Sequence, residues 1–288
     1  MVILVKKKIK GKLVYYLKHT VRVGKKFKTI EKYLGTNLPK NIEVVMLDFF
    51  HEVYREKYDK IKEFLKHAGK LPKSVKEKNL RDFGIRFTYD TNKIEGSTLS
   101  LKDTFMIIDK GISPDKPLSD VKEAENHFRV FMKMLEVKKI NMNTILEWHY
   151  EIFKDTKPDI AGKIRNYGVK ISGSKFVPPS PVELYPLLRE FFKWLNKNFD
   201  KYNAVDLAGL AHLKLVTIHP FGDGNGRISR LVMNWVLYKK GYPMFIIEYK
   251  NRKSYYSALE KAQVKNNPFI FLSWFLKSYL KFLEKESL

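Results

Sequence analysis

Residues 217–230 read TIHPFGDGNGRISR, and one loop and one helix start there hold most of the side-chain types that phosphoryl-group chemistry needs. His219 precedes Pro220, and a residue before proline is biased away from helical geometry. The helix running through 203–218 should therefore end at His219 and present its imidazole to the loop. Gly222, Gly224 and Gly226 follow, letting the backbone turn with its amides inward, a concave nest for an anion. From Gly226 onward GRISRLVMNW reads as an amphipathic helix whose first turn adds free N–H groups and a positive dipole end. Arg227 and Arg230 lie one turn apart on the same side. A polyphosphate over this helix start would meet backbone donors first and two guanidinium forks next. Asp223 offers an oxygen ligand for magnesium. A base, a metal ligand, an anion nest and two phosphate clamps thus lie within 12 residues. A glycine-rich connector between core helices would explain GDGNG, but not the histidine and the arginines around it.

The elements that must hold this loop are mostly helical. Apolar periodicity predicts helices at about 75–94, 101–110, 118–137, 142–154, 182–198, 203–218, 225–240, 252–264 and 268–285. A further single helix is predicted from Asn41 to His67, closed by Gly69 and Pro72. Residues 1–36 look extended instead: LVYYLKHTVRV and KFKTIEKYLG are rich in β-branched and aromatic residues and predict a hairpin joined at Gly24-Lys25. One more exception is 167–179, YGVKISGSKFVPP, where Val169 and Ile171 alternate with polar residues, Gly173 makes a turn and Pro178-Pro179 end the element. That pattern predicts a short exposed hairpin within a helical domain.

Composition narrows the chemistry. The 288 residues, 44% hydrophobic and 14% aromatic, suffice for one large domain with a small appendage. There is no cysteine, which excludes disulfides, thiolate zinc sites and a cysteine nucleophile, and leaves oxygen or imidazole to hold any metal. The net charge of +24 comes mainly from lysine, 45 of the 55 basic residues. Such a field attracts polyanions, although a lysine-rich, cysteine-free chain with the single glutamine Gln263 also fits a heat-adapted organism. No apolar run approaches a bilayer span, and MVILVKKKIKGK does not have the order of charge and apolar stretch of a secretory signal. The expectation is a soluble, cytoplasmic protein with no membrane partner.

His219-Pro220-Phe221-Gly222-Asp223-Gly224-Asn225-Gly226-Arg227-Ile228-Ser229-Arg230 resembles the Fic motif, HPFx(D/E)GNGRxxR, with no departure. The resemblance extends over about 75–265. It implies a mainly α fold: a Fic-type helical bundle with a short β-hairpin flap, here 73–288, preceded by a linking helix at 41–72 and a small β-rich appendage at 1–40. The implied activity is that of a protein adenylyltransferase, moving AMP from ATP to a Tyr, Thr or Ser hydroxyl of a target protein, with ATP and Mg2+ as cofactors. By the same resemblance, His219 deprotonates the incoming hydroxyl and Asp223 holds magnesium between the α- and β-phosphates. Gly224, Asn225 and Gly226 form the anion hole. Arg227 contacts the β-phosphate and Arg230 the γ-phosphate, while Phe221 anchors the loop in the core. Arg165-Asn166-Tyr167-Gly168-Val169 resembles the lead into the family's flap, so that Val169, Lys170 and Ile171 would align a target segment by strand addition. Tyr255-Tyr256 falls where the family lines its adenine pocket, with Tyr256 the adenine contact. Asn126 and His149 match the family pattern as structural residues.

Thr91-Asn92-Lys93-Ile94-Glu95-Gly96 resembles the Fic inhibitory motif, (S/T)xxxE(G/N). Glu95 would end a helix, with Gly96 as its stop, and its carboxylate could pair in bidentate fashion with Arg230. The arginine would then be lost to the γ-phosphate, a brake in cis within the same chain. Removal of AMP by the same residues, and transfer of UMP, phosphate or phosphocholine, are alternatives within the enzyme reading. A basic nucleic-acid-binding module is the alternative of another class. A nucleic-acid partner is compatible with the charge but not required, and a homodimer is compatible with everything above.

Overall fold

The computed structural model describes residues 1–24, 26–67 and 72–286. Among them are one three-stranded sheet and eleven α-helices, none long and apolar enough to cross a membrane. The chain divides into two compact units, 1–68 with 261–288, and 69–260.

The first unit opens with β1 (Val2–Ile9), β2 (Lys12–Val23) and β3 (Lys26–Gly35), an antiparallel meander in that order. Two of these strands are the expected hairpin, with Lys25 of its turn outside the described residues. β1 is the addition, pairing Leu4 with Leu17 while Tyr16 pairs Tyr33 on the other side. Two strands alone are marginal in water, and a third strand plus a helical cover supplies what they lack. The buried face, with Val2, Leu17 and His19, packs against α1 (Ile42–Val53), and Phe50 of α1 reaches Phe269 of α11 (Pro268–Glu286) at 5.6 Å. The last helix thus groups with the N-terminal elements. The helix expected over 41–67 is two helices, α1 and α2 (Arg55–His67), parted at Tyr54 with φ −109° and ψ 19°. Neither glycine nor proline marks the break. The Tyr54 ring packs on Phe50 at 4.7 Å and on His19 at 5.3 Å, and its hydroxyl reaches Ser273 Oγ at 3.2 Å. These tertiary contacts stop the helix for one residue without disturbing its apolar period.

In the second unit, α8 (Ala204–Ile218) and α9 (Asn225–Lys239) are buried on nearly every face, α9 with Arg227, Ser229, Arg230 and Asn234 enclosed among its apolar residues. Around this central pair pack α3 (Lys73–Ile94), α5 (Leu118–Glu136), α6 (Met142–Phe153) and α7 (Pro181–Asn198), with α4 (Leu101–Lys110) on α3 and α5. The start of α10 (Arg252–Val264) completes the unit. The loop 219–224 joins the central pair, so its ends are fixed by the most deeply buried elements of the unit. α3 lies close to α5 because Gly84 has no side chain: a Cβ there would collide with the rings of Phe128 and Phe131. That close approach carries Thr91, Asn92 and Glu95 toward α9. Replacing Gly84→Val should therefore cost about 1–3 kcal/mol by overpacking. Urea denaturation checks it, and an unchanged midpoint would mean that the two helices separate without cost.

Candidate active site

His219 caps α8 in the left-handed region, φ 53° and ψ 56°, its N–H still bonded to Leu215 O at 3.1 Å. The proline keeps it out of the right-handed helix as expected, but the chain turns left-handed instead of extended. Arg165 supplies the reason. This buried guanidinium donates from Nε to His219 O (2.8 Å), from Nη1 to Tyr167 O (2.8 Å) and from Nη2 to Pro179 O (2.7 Å), while its own N–H bonds Pro220 O (3.0 Å). One side chain thus ties the turn at His219 to both ends of segment 167–179. His219 Nδ1 lies 3.2 Å from Val216 O. A carbonyl only accepts, so Nδ1 carries the proton and Nε2 keeps its lone pair. Burial lowers the imidazole's pKa, and Arg165 lowers it further against the opposing pull of the Val216 carbonyl and of Glu95 and Asp223. The ring is neutral at neutral pH.

The loop is closed by its own amides. Phe221 N–H donates to Asn225 Oδ1 (2.9 Å) and Asn225 Nδ2 donates to Phe221 O (2.8 Å), with Phe221 fully buried. His149 stacks on Phe221 at 4.0 Å, accepts from Gly162 N–H at Nδ1 (2.9 Å) and so donates from Nε2 to Asp223 O (3.0 Å). Gly224 caps α9 at φ 78°, pressed so closely on Phe153 that a side chain would strike the ring. No side chain caps α9, and its first turn, Asn225-Gly226-Arg227, presents its N–H groups without a side-chain partner. Asn225 thus serves the nest with its backbone, its amide being engaged in closing the loop.

Charges alternate around the nest. Arg227 is buried beneath it, donating to Glu123 of α5, to Asn92 Oδ1 (3.2 Å) and to Asp223 Oδ1 (3.4 Å), with its plane over Phe153 at 4.4 Å. Lys157 places Nζ 2.6 Å from Asp223 Oδ2 and 3.1 Å from Glu123 Oε1. Burial alone would raise the Asp223 pKa, but Arg227 and Lys157 outweigh it and hold the carboxyl at about 2. Arg230 is more deeply enclosed: Nε donates to Thr91 Oγ1 (2.5 Å), Nη2 to Thr91 O (3.1 Å) and to Glu95 Oε1 (2.6 Å), and Nη1 reaches Tyr255 Oη (3.4 Å). The Glu95 contact is through Nη2 alone: Thr91 holds Nε and Tyr255 Oη lies at Nη1, so neither a side-on nor an end-on fork forms. Glu95 Oε1 also lies against Gly226, where any Cβ would meet it. Glu95 is the C-cap of α3, with Gly96 at φ 101° beyond it.

The structure therefore brings His219, Asp223, Gly224, Asn225, Gly226, Arg227, Arg230 and Glu95 together. Tyr256 donates its hydroxyl to Ile94 O at 3.1 Å, next to Glu95, and is 44% exposed, whereas Tyr255 is buried against His212 Nε2 at 3.0 Å. Segment 167–179 differs from expectation. It contains no strand; Val169, Lys170 and Ile171 run without a ladder, and the reversal is a turn closed by Ser174 N–H to Ile171 O at 3.1 Å. Arg165 takes the carbonyls of Tyr167 and Pro179 that would have begun the pairing. Lys157 is the site residue that sequence reasoning missed. It belongs to no motif, and only its place before Pro158, at the end of the turn after α6, hints at a fixed position.

Among the described residues, no group of three or more His, Cys, Asp or Glu side chains gathers in a way that would hold a metal. Asp223 nevertheless fits a divalent cation that completes its shell with phosphate oxygens and water. Its carboxyl stays charged to about pH 2, and a cation, the Lys157 ammonium, already lies against it.

Two buried helices joined by a histidine-led, amide-lined loop, with a second helix bringing a carboxylate to its arginine, define a Fic domain. Residues 139–237 match the model of the Fic/DOC family, and the chain is a Fic-domain protein. It is 37% identical over 185 residues to protein adenylyltransferase Fic of Aedes aegypti, covering 62% of this chain and 37% of that one. Among solved structures, Fic-1 (residues 134–508) from Caenorhabditis elegans superposes with a TM-score of 0.72 at 26% identity, covering 86% of this chain and 77% of that one. A Fic-domain signalling protein from Bacteroides thetaiotaomicron superposes at 0.70, also at 26% identity, covering 80% and 93%. The chain spans well under two thirds of the length of the curated relatives it matches.

Proposed function

We propose that this protein is a protein adenylyltransferase that moves AMP from ATP to a hydroxyl side chain of a target protein, restrained in cis by Glu95. The reading rests above all on one arrangement: a neutral imidazole, a charged carboxylate and two guanidiniums surround the uncapped N-terminus of α9. The naming of the relatives as protein adenylyltransferases supports it.

The triphosphate lies along the first turn of α9, where N–H groups and the helix dipole favour anions. His219 Nε2 takes the proton of the incoming hydroxyl, whose oxygen bonds to the α-phosphorus as the bond to the β-phosphate oxygen breaks and pyrophosphate leaves. Asp223 would hold Mg2+, which when bound neutralises charge on the phosphates. Arg227 meets the β-phosphate and Arg230 the γ-phosphate. Val169, Lys170 and Ile171, outside any strand ladder, accept a target segment edge to edge, and Tyr256 borders the adenine. Glu95 opposes this pose twice over, by occupying Arg230 Nη2 and by lying on Gly226, where phosphate oxygens belong.

Four outcomes follow from these roles. Glu95→Gly should raise AMP transfer on the order of tenfold or more, read as label from α-labelled ATP entering protein; an equal or lower rate removes the brake. His219→Ala should abolish transfer while ATP still binds. In the unaltered chain, kcat/KM should hold as pH falls through 6.5, because a base with a lowered pKa stays neutral there. An acidic limb centred above 6.5 would place another group in that role. Lys157→Ala should tighten Mn2+ binding on the order of tenfold in the presence of a non-hydrolysable ATP analogue, since the competing cation at Asp223 is gone. Titration followed by electron paramagnetic resonance measures it, and weaker binding would make Lys157 a nucleotide-holding group instead.

A further inference from the structure

A cavity of about 1140 Å³ lies within the unit formed by 1–68 and 261–288, and AMP transfer makes no use of it. Six cationic side chains line it, Lys28 from β3, Arg55 and Lys57 from α2, Lys261 from α10, and Lys265 and Lys277 from the turn into α11 and α11 itself. Only Glu52 and Glu56 oppose them, and Glu52 already accepts from Lys32 Nζ at 2.6 Å. Among the described residues, none of the six forms an ion pair. His19 of β2 faces the same cavity at 1% exposure, and its Nδ1 has no hydrogen-bond partner. Buried polar atoms are seldom left so in a native fold, and an unpaired one in a cavity wall marks a missing ligand.

The electrostatics agree with the geometry. Burial, then the positive charges around it, push the His19 imidazole down to about 4. Burial and the nearby Lys57 ammonium lower the pKa of Lys277. Like charges that converge on a concave space repel one another unless an anion lies between them.

We propose that this cavity is a second ligand site, separate from the α9 loop, for a small molecule carrying two or more linked phosphates. The cations come from β3, α2, α10, α11 and the turn before it, around one space, so linked phosphates meet more of them than a single phosphate would. The volume is of the size that small-molecule sites have. Its walls are concave, whereas a duplex needs an open positive face. As its Nδ1–H tautomer, His19 donates to a phosphate oxygen at the floor of the site.

Calorimetric titration of the full chain with inorganic tripolyphosphate, without divalent metal, tests this. Lys57→Ala/Lys277→Ala should weaken binding by at least about tenfold, each lost ammonium removing a charge-assisted contact. Lys102→Ala/Lys139→Ala, an equal loss of charge on exposed helix and loop positions of the other unit, should leave the affinity as it was. Should the first pair fail to fold, Lys28→Ala/Lys265→Ala at the cavity rim takes its place. An equal loss in both doubles would reduce the effect to net charge. Unaltered affinity in the cavity variant would assign binding to the α9 loop. No binding of tripolyphosphate, with binding of a 20-base-pair duplex, would make the surface one for nucleic acid. Each of these three results overturns the proposal.

Discussion

A fully buried guanidinium is the constraint on which the unit 69–260 depends. Arg230 is 1% exposed, and a charge so placed is tolerated only when its donors are satisfied. The partners come from two further helices, Thr91 near the end of α3 with Glu95 capping it, and Tyr255 of α10, whose hydroxyl in turn meets His212 of a third, α8. Meeting the needs of one side chain on α9 therefore sets the position of α3, α8 and α10 around it. The pairing raises the pKa of Arg230 even against burial, so the charge does not escape by deprotonation. Any state in which Glu95 withdraws must bring another anion to the same place. A phosphate oxygen is such an anion, and this makes the exchange of carboxylate for phosphate physically plausible at a site that could not stand empty.

Much of this was legible in the sequence because the signals were local. The helix limits follow from apolar period and caps: Ser100 and Asn141 cap α4 and α6, and Gly111 stops α4 in the left-handed region. The active loop was legible because its residues are contiguous and each has a chemical reason to be there. Glu95 lies 135 residues from Arg230 yet could be paired with it on paper, since a motif rather than periodicity pointed to it.

What the sequence concealed was set by contacts between distant residues. Nothing near Tyr54 foretells a helix break, because the rings of Phe50 and His19 that seat it preserve the helical pattern. Alternation at Val169 and Ile171 predicts a hairpin, but a ladder also needs free carbonyls where the two limbs begin to pair, and Arg165 holds one on each, at Tyr167 and Pro179. The same guanidinium holds His219 O, which is why the residue before Pro220 turns left-handed. Lys157 bridges carboxylates on two other segments, and no spacing rule reaches across both.

Two arginines one turn apart look interchangeable in the motif, and the structure separates them by how many other bonds hold their carboxylate partners. Arg227 is flanked by Glu123, whose side chain is 12% exposed, by Asp223, by Asn92 and by the Phe153 ring. Glu123 also binds Lys157 and Thr156, so moving it disturbs several bonds at once. Arg230 leans on Glu95, 25% exposed, which stands at the C-terminal end of α3 with its carboxylate bonded to Arg230 alone, at a point where a left-handed glycine allows the chain to turn away. An interaction that ends in a solvated, single-contact carboxylate can be exchanged; one embedded in a network cannot without unfolding its neighbours. Under the proposed function, regulation by competition therefore belongs at Arg230, and a fixed cradle for phosphate at Arg227, even though both share the same three-residue spacing.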